Sequence, residues 1–199
     1  PVPLARVAGP LSFMVKLLAA AEPLSLQAHP SAAQAAEAFA TEESLGVSTS
    51  GAERVYRDPS GKPEMLVAVT PFEALCGFRP TEEVAKEFED NGAAVAARYL
   101  RDHGPVATVA WLLQERPAFT LRHHLFTRLS SAYPGDAGVA VALLLRHLRL
   151  APGEAIFVPA GVLHMYLHGV GLEVMGASDN VVRGGLTPKH VDVTELVRI

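Results

Sequence analysis

From Phe157 to Asp192 the chain reads FVPAGVLHMYLHGVGLEVMGASDNVVRGGLTPKHVD. Short apolar runs with β character, Ile156–Val158, Met165–Leu167 and Leu172–Met175, are separated by glycines, which favours strands over helix. The same stretch carries an imidazole (His164), two carboxylates (Glu173, Asp179) and two cations (Arg183, Lys189). Unpaired charge is costly to desolvate, so strands with this much ionisable cargo are shaped around a polar site.

The rest of the chain divides by texture. Residues 1–80 mix short β-like runs with turns. Leu11–Ala21 is apolar apart from Lys16 and is expected to be a buried strand or strand–turn segment with Lys16 reaching out or into a site. Ser31-x-x-Gln34 is a capping-box pattern that opens an alanine-rich helix through Phe39. From Thr81 to Leu150 apolar residues recur at helical spacing: Val84 and Phe88, Leu121 and Leu125, and Val141, Leu144, Leu145 and Leu148. Breaks at Asn91-Gly92, Gly104-Pro105, Pro117 and Pro134-Gly135 predict four or five short helices. His103, His123, His124 and His147 lie here, away from carboxylates at ligand spacing, and read as packed or solvated helix residues. From Ala151 the texture returns to strands. The expected fold is mainly β with an α insertion: one β domain from 1–80 and 151–199, interrupted by a helical insertion at 81–150.

Composition excludes several function classes. The net charge of −4 argues against nucleic acid as a partner, which requires a basic patch. No run approaches the ~20 apolar residues needed to cross a bilayer, and a lone cysteine, Cys76, fits a reducing compartment. A cytoplasmic protein is expected. Nothing in the sequence points to an extensive interface, so a monomer is expected. The chain starts at Pro1 without an initiator methionine, so its first residues are not expected to be a natural start.

Three upstream blocks supply further polar groups: PLSLQAHPS at Pro23–Ser31, GKPEM at Gly61–Met65 and FEALCGFRP at Phe72–Pro80. In a strand over Leu24–His29, Gln27 and His29 share one face, and Lys62 and Glu64 share a face by the same i, i+2 rule. His164 follows the tight turn Pro159-Ala160-Gly161. Gln27, His29, Glu64 and His164 give an amide oxygen, two imidazoles and a carboxylate, a donor set that suits zinc with an open position. Two His and a carboxylate also suit Fe(II) in an oxygenase; the amide donor and the Arg183–Lys189 block argue against it.

These blocks, with Tyr56-x-Asp58…Lys62-Pro63-Glu64, Leu172–Met175 and Ser178–Arg183…Leu186–Lys189, resemble type I mannose-6-phosphate isomerase (phosphomannose isomerase) from about Leu11 to Leu196. The resemblance implies a cupin-type β-barrel (jelly roll) with a small helical domain. It implies one Zn2+ per chain on Gln27, His29, Glu64 and His164, and conversion of a small sugar phosphate through a cis-enediol. It places catalysis on Arg183, with Glu173, Asp179 and Lys62 at other active-site positions. Glu173 is the leading candidate base, with Asp179 second, and the bland reading of both is an ion pair with Arg183 or Lys189. Lys189 and Ser25 are candidates for substrate oxygens. Gly61 departs from the family, which carries a histidine there. The chain is shorter than family members, lacking an N-terminal segment and a C-terminal region, so a trimmed fragment is expected. The competing reading is a truncated, non-catalytic metal- or sugar-binding module.

Overall fold

A computed structural model describes residues 2, 6, 7, 9, 11–51, 54–118 and 120–199. In chain order its elements are β1 (Phe13–Ala20), β2 (Leu26–Ala28), α1 (Ala32–Ser44), β3 (Glu64–Ala68), β4 (Phe72–Phe78), α2 (Thr81–Asp90), α3 (Ala94–Glu115), α4 (His124–Ala132), α5 (Gly138–Ala142), β5 (Leu145–Leu150), β6 (Ala155–Val158), β7 (His164–Gly176), β8 (Val182–Gly185) and α6 (Val193–Arg198).

The expected separate runs Met165–Leu167 and Leu172–Met175 are one 13-residue strand, β7. Its glycines do not break it. A Cβ on Gly169, where φ is 125°, would stand 2.7 Å from the Pro71 carbonyl oxygen, and one on Gly171 would stand 2.9 Å from Leu66 Cγ. Glycine here lets the strand pass close over β3 and the Pro71–Phe72 turn. The first half of β7 pairs with β4 and β2, the second half with β1 and β3, always antiparallel. One path through the sheet runs β5-β4-β7-β2-β8; β1 joins β7, and β6 lies beyond β3. Among the described residues this sheet is open. Helical residues outnumber strand residues, so the fold is mixed rather than mainly β.

Helix α1 begins at the expected capping box: Ser31 Oγ accepts from the Gln34 N–H, and Gln34 Oε1 accepts from the Ser31 N–H. It runs past Phe39 to Ser44 because its last turn is tied down from elsewhere. Glu42 accepts the backbone N–H groups of Val55 and Tyr56, and Glu42 and Glu43 both pair with the buried Arg54 guanidinium.

Between β4 and β5 lie α2 to α5, four helices, as expected. Gly104 (φ 77°) and Pro105 kink α3. Trp111 stacks on Tyr99 with ring centroids 4.7 Å apart. The expected helix through Leu148 stops at Ala142 instead, and Leu145–Leu150 is strand β5 against β4. Leu145 and Leu148, three apart, suit one face of a helix but fall on opposite faces of a strand; pairing with β4 decides for the strand. The main apolar cluster is continuous: Leu26, Leu75 and Leu145 from strands pack with Phe88, Leu100, Leu112 and Leu129 from helices. Leu11–Ala21 does form a strand, but β1 is not buried; its outer side is open. No helix among the described residues is long and apolar enough to cross a membrane.

Candidate metal centre and active site

The short strand β2 lies between β7 and β8, with Gln27 opposite both His164 and Arg183. Direct cross-strand partners share a sheet face, so Gln27, His164 and Arg183 project together. Glu64 opens β3 and pairs with Met175, and its neighbour Leu66 pairs with Glu173. Alternation along β3 puts Glu64 and Glu173 on the same side.

His29, Glu64 and His164 converge. One ligand atom from each lies within 4.8 Å of the others, and all three residues are buried. His29 Nε2 stands 3.2 Å from Glu64 Oε1, and His164 Nε2 stands 3.5 Å from Glu64 Oε2. Each imidazole spends its other nitrogen on a main-chain carbonyl: His29 Nδ1–H on Asn180 at 2.9 Å, His164 Nδ1–H on Val162 at 3.0 Å. That fixes the tautomer and aims both Nε2 atoms inward. Burial pushes the His29 pKa down, so its neutral form is favoured. Burial works to raise Glu64, but His164, His29 and the Lys62 ammonium outweigh it and hold the carboxyl far below the usual range.

Lone pairs therefore meet lone pairs. His29 Nε2 and Glu64 Oε2 are buried with no hydrogen-bond partner, an arrangement that costs free energy unless a cation lies between them. Gln27 reaches the same point, its amide nitrogen 3.5 Å from His164 Nε2; turning the amide over presents Oε1 instead. The donor set fits a divalent metal with nitrogen and oxygen ligands.

Lys62 is also buried, with Nζ 3.0 Å from Glu64 Oε1, as the alternation of strand faces predicts. Glu173 is buried on the inner side of β7; burial first, then the Glu64 charge, raises its pKa. Among the described residues neither Glu173 nor Asp179 forms an ion pair with Arg183 or Lys189. Arg183 is half-buried, its pKa lowered by burial and by the neighbouring Arg57 charge. It lines a cleft of about 410 Å³ with Arg57, Asp179 and Lys189. Asp179 is thus placed in the cleft rather than among the metal-facing groups, and its N–H donates to Asp58 at 3.0 Å. Ser25 is half-buried just ahead of β2, and its side chain makes no hydrogen bond among the described residues.

Two residues escaped sequence reasoning. Asn180 is fully buried and clamps the loop before β3: Oδ1 accepts from the N–H groups of Arg57 and Asp58, and Nδ2 donates to the carbonyls of Asp58 and Ser60. Its position in the Ser178-Asp179-Asn180 triplet was visible, its bonds were not. Tyr166 follows His164 by two on the same strand, its ring 5.8 Å from that imidazole and its buried hydroxyl beside the Glu173 carboxyl. Lys16, expected to reach out or into a site, lies opposite Glu173 in the β1–β7 register.

Comparison with known proteins places this arrangement. Residues 4–81 match the family model for the catalytic domain of type I phosphomannose isomerase. The mannose-6-phosphate isomerase of Escherichia coli K12 is 38% identical over 210 residues, covering 95% of this chain and 54% of the relative. The human enzyme is 36% identical, over 94% of this chain and 51% of its own length. The chain is similar to type I phosphomannose isomerases over nearly all of its length. It spans about half the length of the curated relatives it matches. Among solved structures, the Salmonella typhimurium mannose 6-phosphate isomerase bound to fructose 6-phosphate and zinc superposes with a TM-score of 0.83 at 36% identity, covering 98% of this chain and 55% of that one.

Proposed function

We propose that this chain carries the catalytic site of a zinc-dependent isomerase that interconverts mannose 6-phosphate and fructose 6-phosphate. The observation that carries the reading is the buried His29–Glu64–His164 cluster with its unpartnered lone pairs, in a family whose Salmonella member has been seen with zinc and fructose 6-phosphate. Gln27, His29, Glu64 and His164 would hold one zinc ion. Bound there, zinc supplies Lewis acidity to neighbouring sugar oxygens.

The remaining work falls to the chain. The isomerisation moves a proton between C1 and C2 of the open-chain sugar through a cis-enediol. Glu173 is the proposed base. Its raised pKa brings it nearer the working pH, where it can take the C2 proton and return it to C1. Lys62 and Arg183 offset charge on the enediolate oxygens. Lys189, Asp179 and Arg183 line a cleft in which two cations can meet a phosphate, and the Arg183 fork suits its oxygens. Ser25 is a further donor to the substrate.

The site strands are proposed to form a cupin-type β domain of residues 1–80 and 151–199, with 81–150 as the helical insertion. Because β5 pairs with β4, the sheet part reaches back to Leu145. A cytoplasmic location is proposed from the lone cysteine. The reading as a non-catalytic module is not favoured, since the proposed ligands and Arg183 are retained together.

The test is coupled conversion of mannose 6-phosphate on chelator-stripped protein, before and after adding zinc. Zinc-restored turnover is expected. No turnover in folded, zinc-loaded protein would overturn the proposal for this chain.

A further inference from the structure

Strand β7 changes phase part-way along. Met165 lies opposite Leu75 and Tyr166 opposite Ala74, but Glu73 lies opposite His168. Leu167 is therefore an extra residue, a β-bulge. Burial changes with it. Ahead of the bulge Met165 turns to the main apolar cluster and Tyr166 to the smaller one. Beyond it His168 and Leu172 are exposed, while Gly171, Glu173 and Met175 are buried. In a regular strand Tyr166 and Glu173, seven residues apart, would point to opposite faces, because side chains alternate with a period of two. The bulge brings them to one side.

Their neighbours agree with that placement. The Tyr166 ring belongs to the smaller apolar cluster with Leu66, and Leu66 is the direct cross-strand partner of Glu173. The ring meets Phe72 edge-on, with centroids 5.4 Å apart, and the His164 imidazole at 5.8 Å. Held between two rings, the phenol ends with its hydroxyl beside the Glu173 carboxyl. Tyr166 is only 2% exposed and Glu173 6%. A hydroxyl buried that deeply needs an acceptor, and a phenol, protonated throughout the neutral range, can only donate to a carboxylate. Among the described residues no cation forms an ion pair with Glu173: Lys62 is spent on Glu64, and Lys16 is exposed.

We propose that Tyr166 is a positioning residue for the isomerisation: its O–H donates to one oxygen of the Glu173 carboxylate and leaves the other to face C1 and C2 of the sugar. The proposal rests on the reading of Glu173 as the base. Tyr166 itself transfers no proton. A glutamate side chain has three torsions to fix, and a donor on a rigid ring removes the rotamers that would carry the base out of reach before substrate arrives.

The experiment is a double-mutant cycle on the whole, zinc-loaded chain with Tyr166→Phe, Glu173→Ala and the double variant. Tyr166→Phe removes one oxygen and keeps the ring against Phe72, so circular dichroism and zinc content should match the parent. Its kcat for mannose 6-phosphate is expected to fall about 10–100-fold, with KM changed by less than about 3-fold. In the Glu173→Ala background no carboxylate remains to be placed, so the same substitution should change residual turnover by less than about 2-fold. A Tyr166→Phe variant with full turnover, with a raised KM alone, or with the same loss in both backgrounds would overturn the proposal. Full turnover by Glu173→Ala would instead remove Glu173 as the base, and the role of Tyr166 with it. Thermal unfolding of the same four proteins reads the contact without turnover. The two substitutions are expected to be non-additive; simple additivity would overturn the proposal even in a chain that does not turn over.

Discussion

His29 donates its Nδ1–H to the main-chain carbonyl of Asn180, so a metal-facing imidazole takes its orientation from a residue on the far side of the chain. The Asn180 side chain in turn holds the turn of Arg57, Asp58 and Ser60 through four hydrogen bonds. Asn180→Ala leaves buried backbone groups unpaired and frees the carbonyl that orients His29. The expected cost is about 2–4 kcal/mol of stability and a 10–100-fold loss of zinc affinity, the usual effect of removing support behind a ligand. Thermal unfolding and zinc titration check the two parts separately; unchanged zinc affinity would refute the orienting role.

A second outcome concerns Gly61. A Cβ there would stand 2.6 Å from the Ala32 backbone nitrogen and 3.0 Å from the Ser31 carbonyl carbon. Those atoms belong to the start of α1 and cannot swing aside like a side-chain tip. Gly61→Ala is expected to cost about 1–3 kcal/mol through overpacking. Gly61→His should do worse, so restoring the residue usual in the family should not raise activity in this backbone. Chemical denaturation and turnover of both variants test this.

Much of the site was legible because strand alternation is simple. Gln27 with His29, and Lys62 with Glu64, needed only the two-residue period. What sequence could not supply was register. Lys16 opposite Glu173 exists only once β7 is known to pair with four strands. The glycines of β7 misled for the opposite reason: they read as breaks, whereas tertiary crowding at Phe72 and Leu66 required them inside one strand. Leu145–Leu150 reads as helix because its leucines, spaced among Arg146, His147 and Arg149, fit an amphipathic helix face, and only pairing with β4 makes it a strand. Asn180 lies inside the Ser178–Arg183 block, but hydrogen bonds to backbone groups leave no pattern in side-chain chemistry.

Arg183 and the metal ligands should separate experimentally. Arg183 shares a sheet face with Gln27 yet carries no ligand atom, and it lines the cleft with Arg57 and Lys189. Arg183→Ala is expected to lower kcat by about 100–1000-fold, the usual loss when one group aimed at developing charge is removed, with zinc content unchanged. His29→Ala should lose zinc and turnover together. Metal analysis beside kinetics distinguishes the two, and zinc loss from the Arg183 variant would contradict the assignment.

Glu173 links catalysis to stability through its proton. Burial and the Glu64 charge raise its pKa in the folded chain, so between the unfolded value and the raised folded value the native state binds more protons than the unfolded one. Stability then falls as pH rises through that window and levels off above it. Glu173→Gln removes the ionisation. Measured on chelated protein, the variant should match the parent below the ordinary carboxylate pKa and unfold at a higher temperature than the parent above the window. Turnover should fall by about 100–10,000-fold, the contribution of a positioned general base. A variant destabilised at high pH would show instead that the carboxylate is held by favourable partners. A stabilised variant with intact turnover would keep the electrostatics and remove Glu173 from the proton transfer.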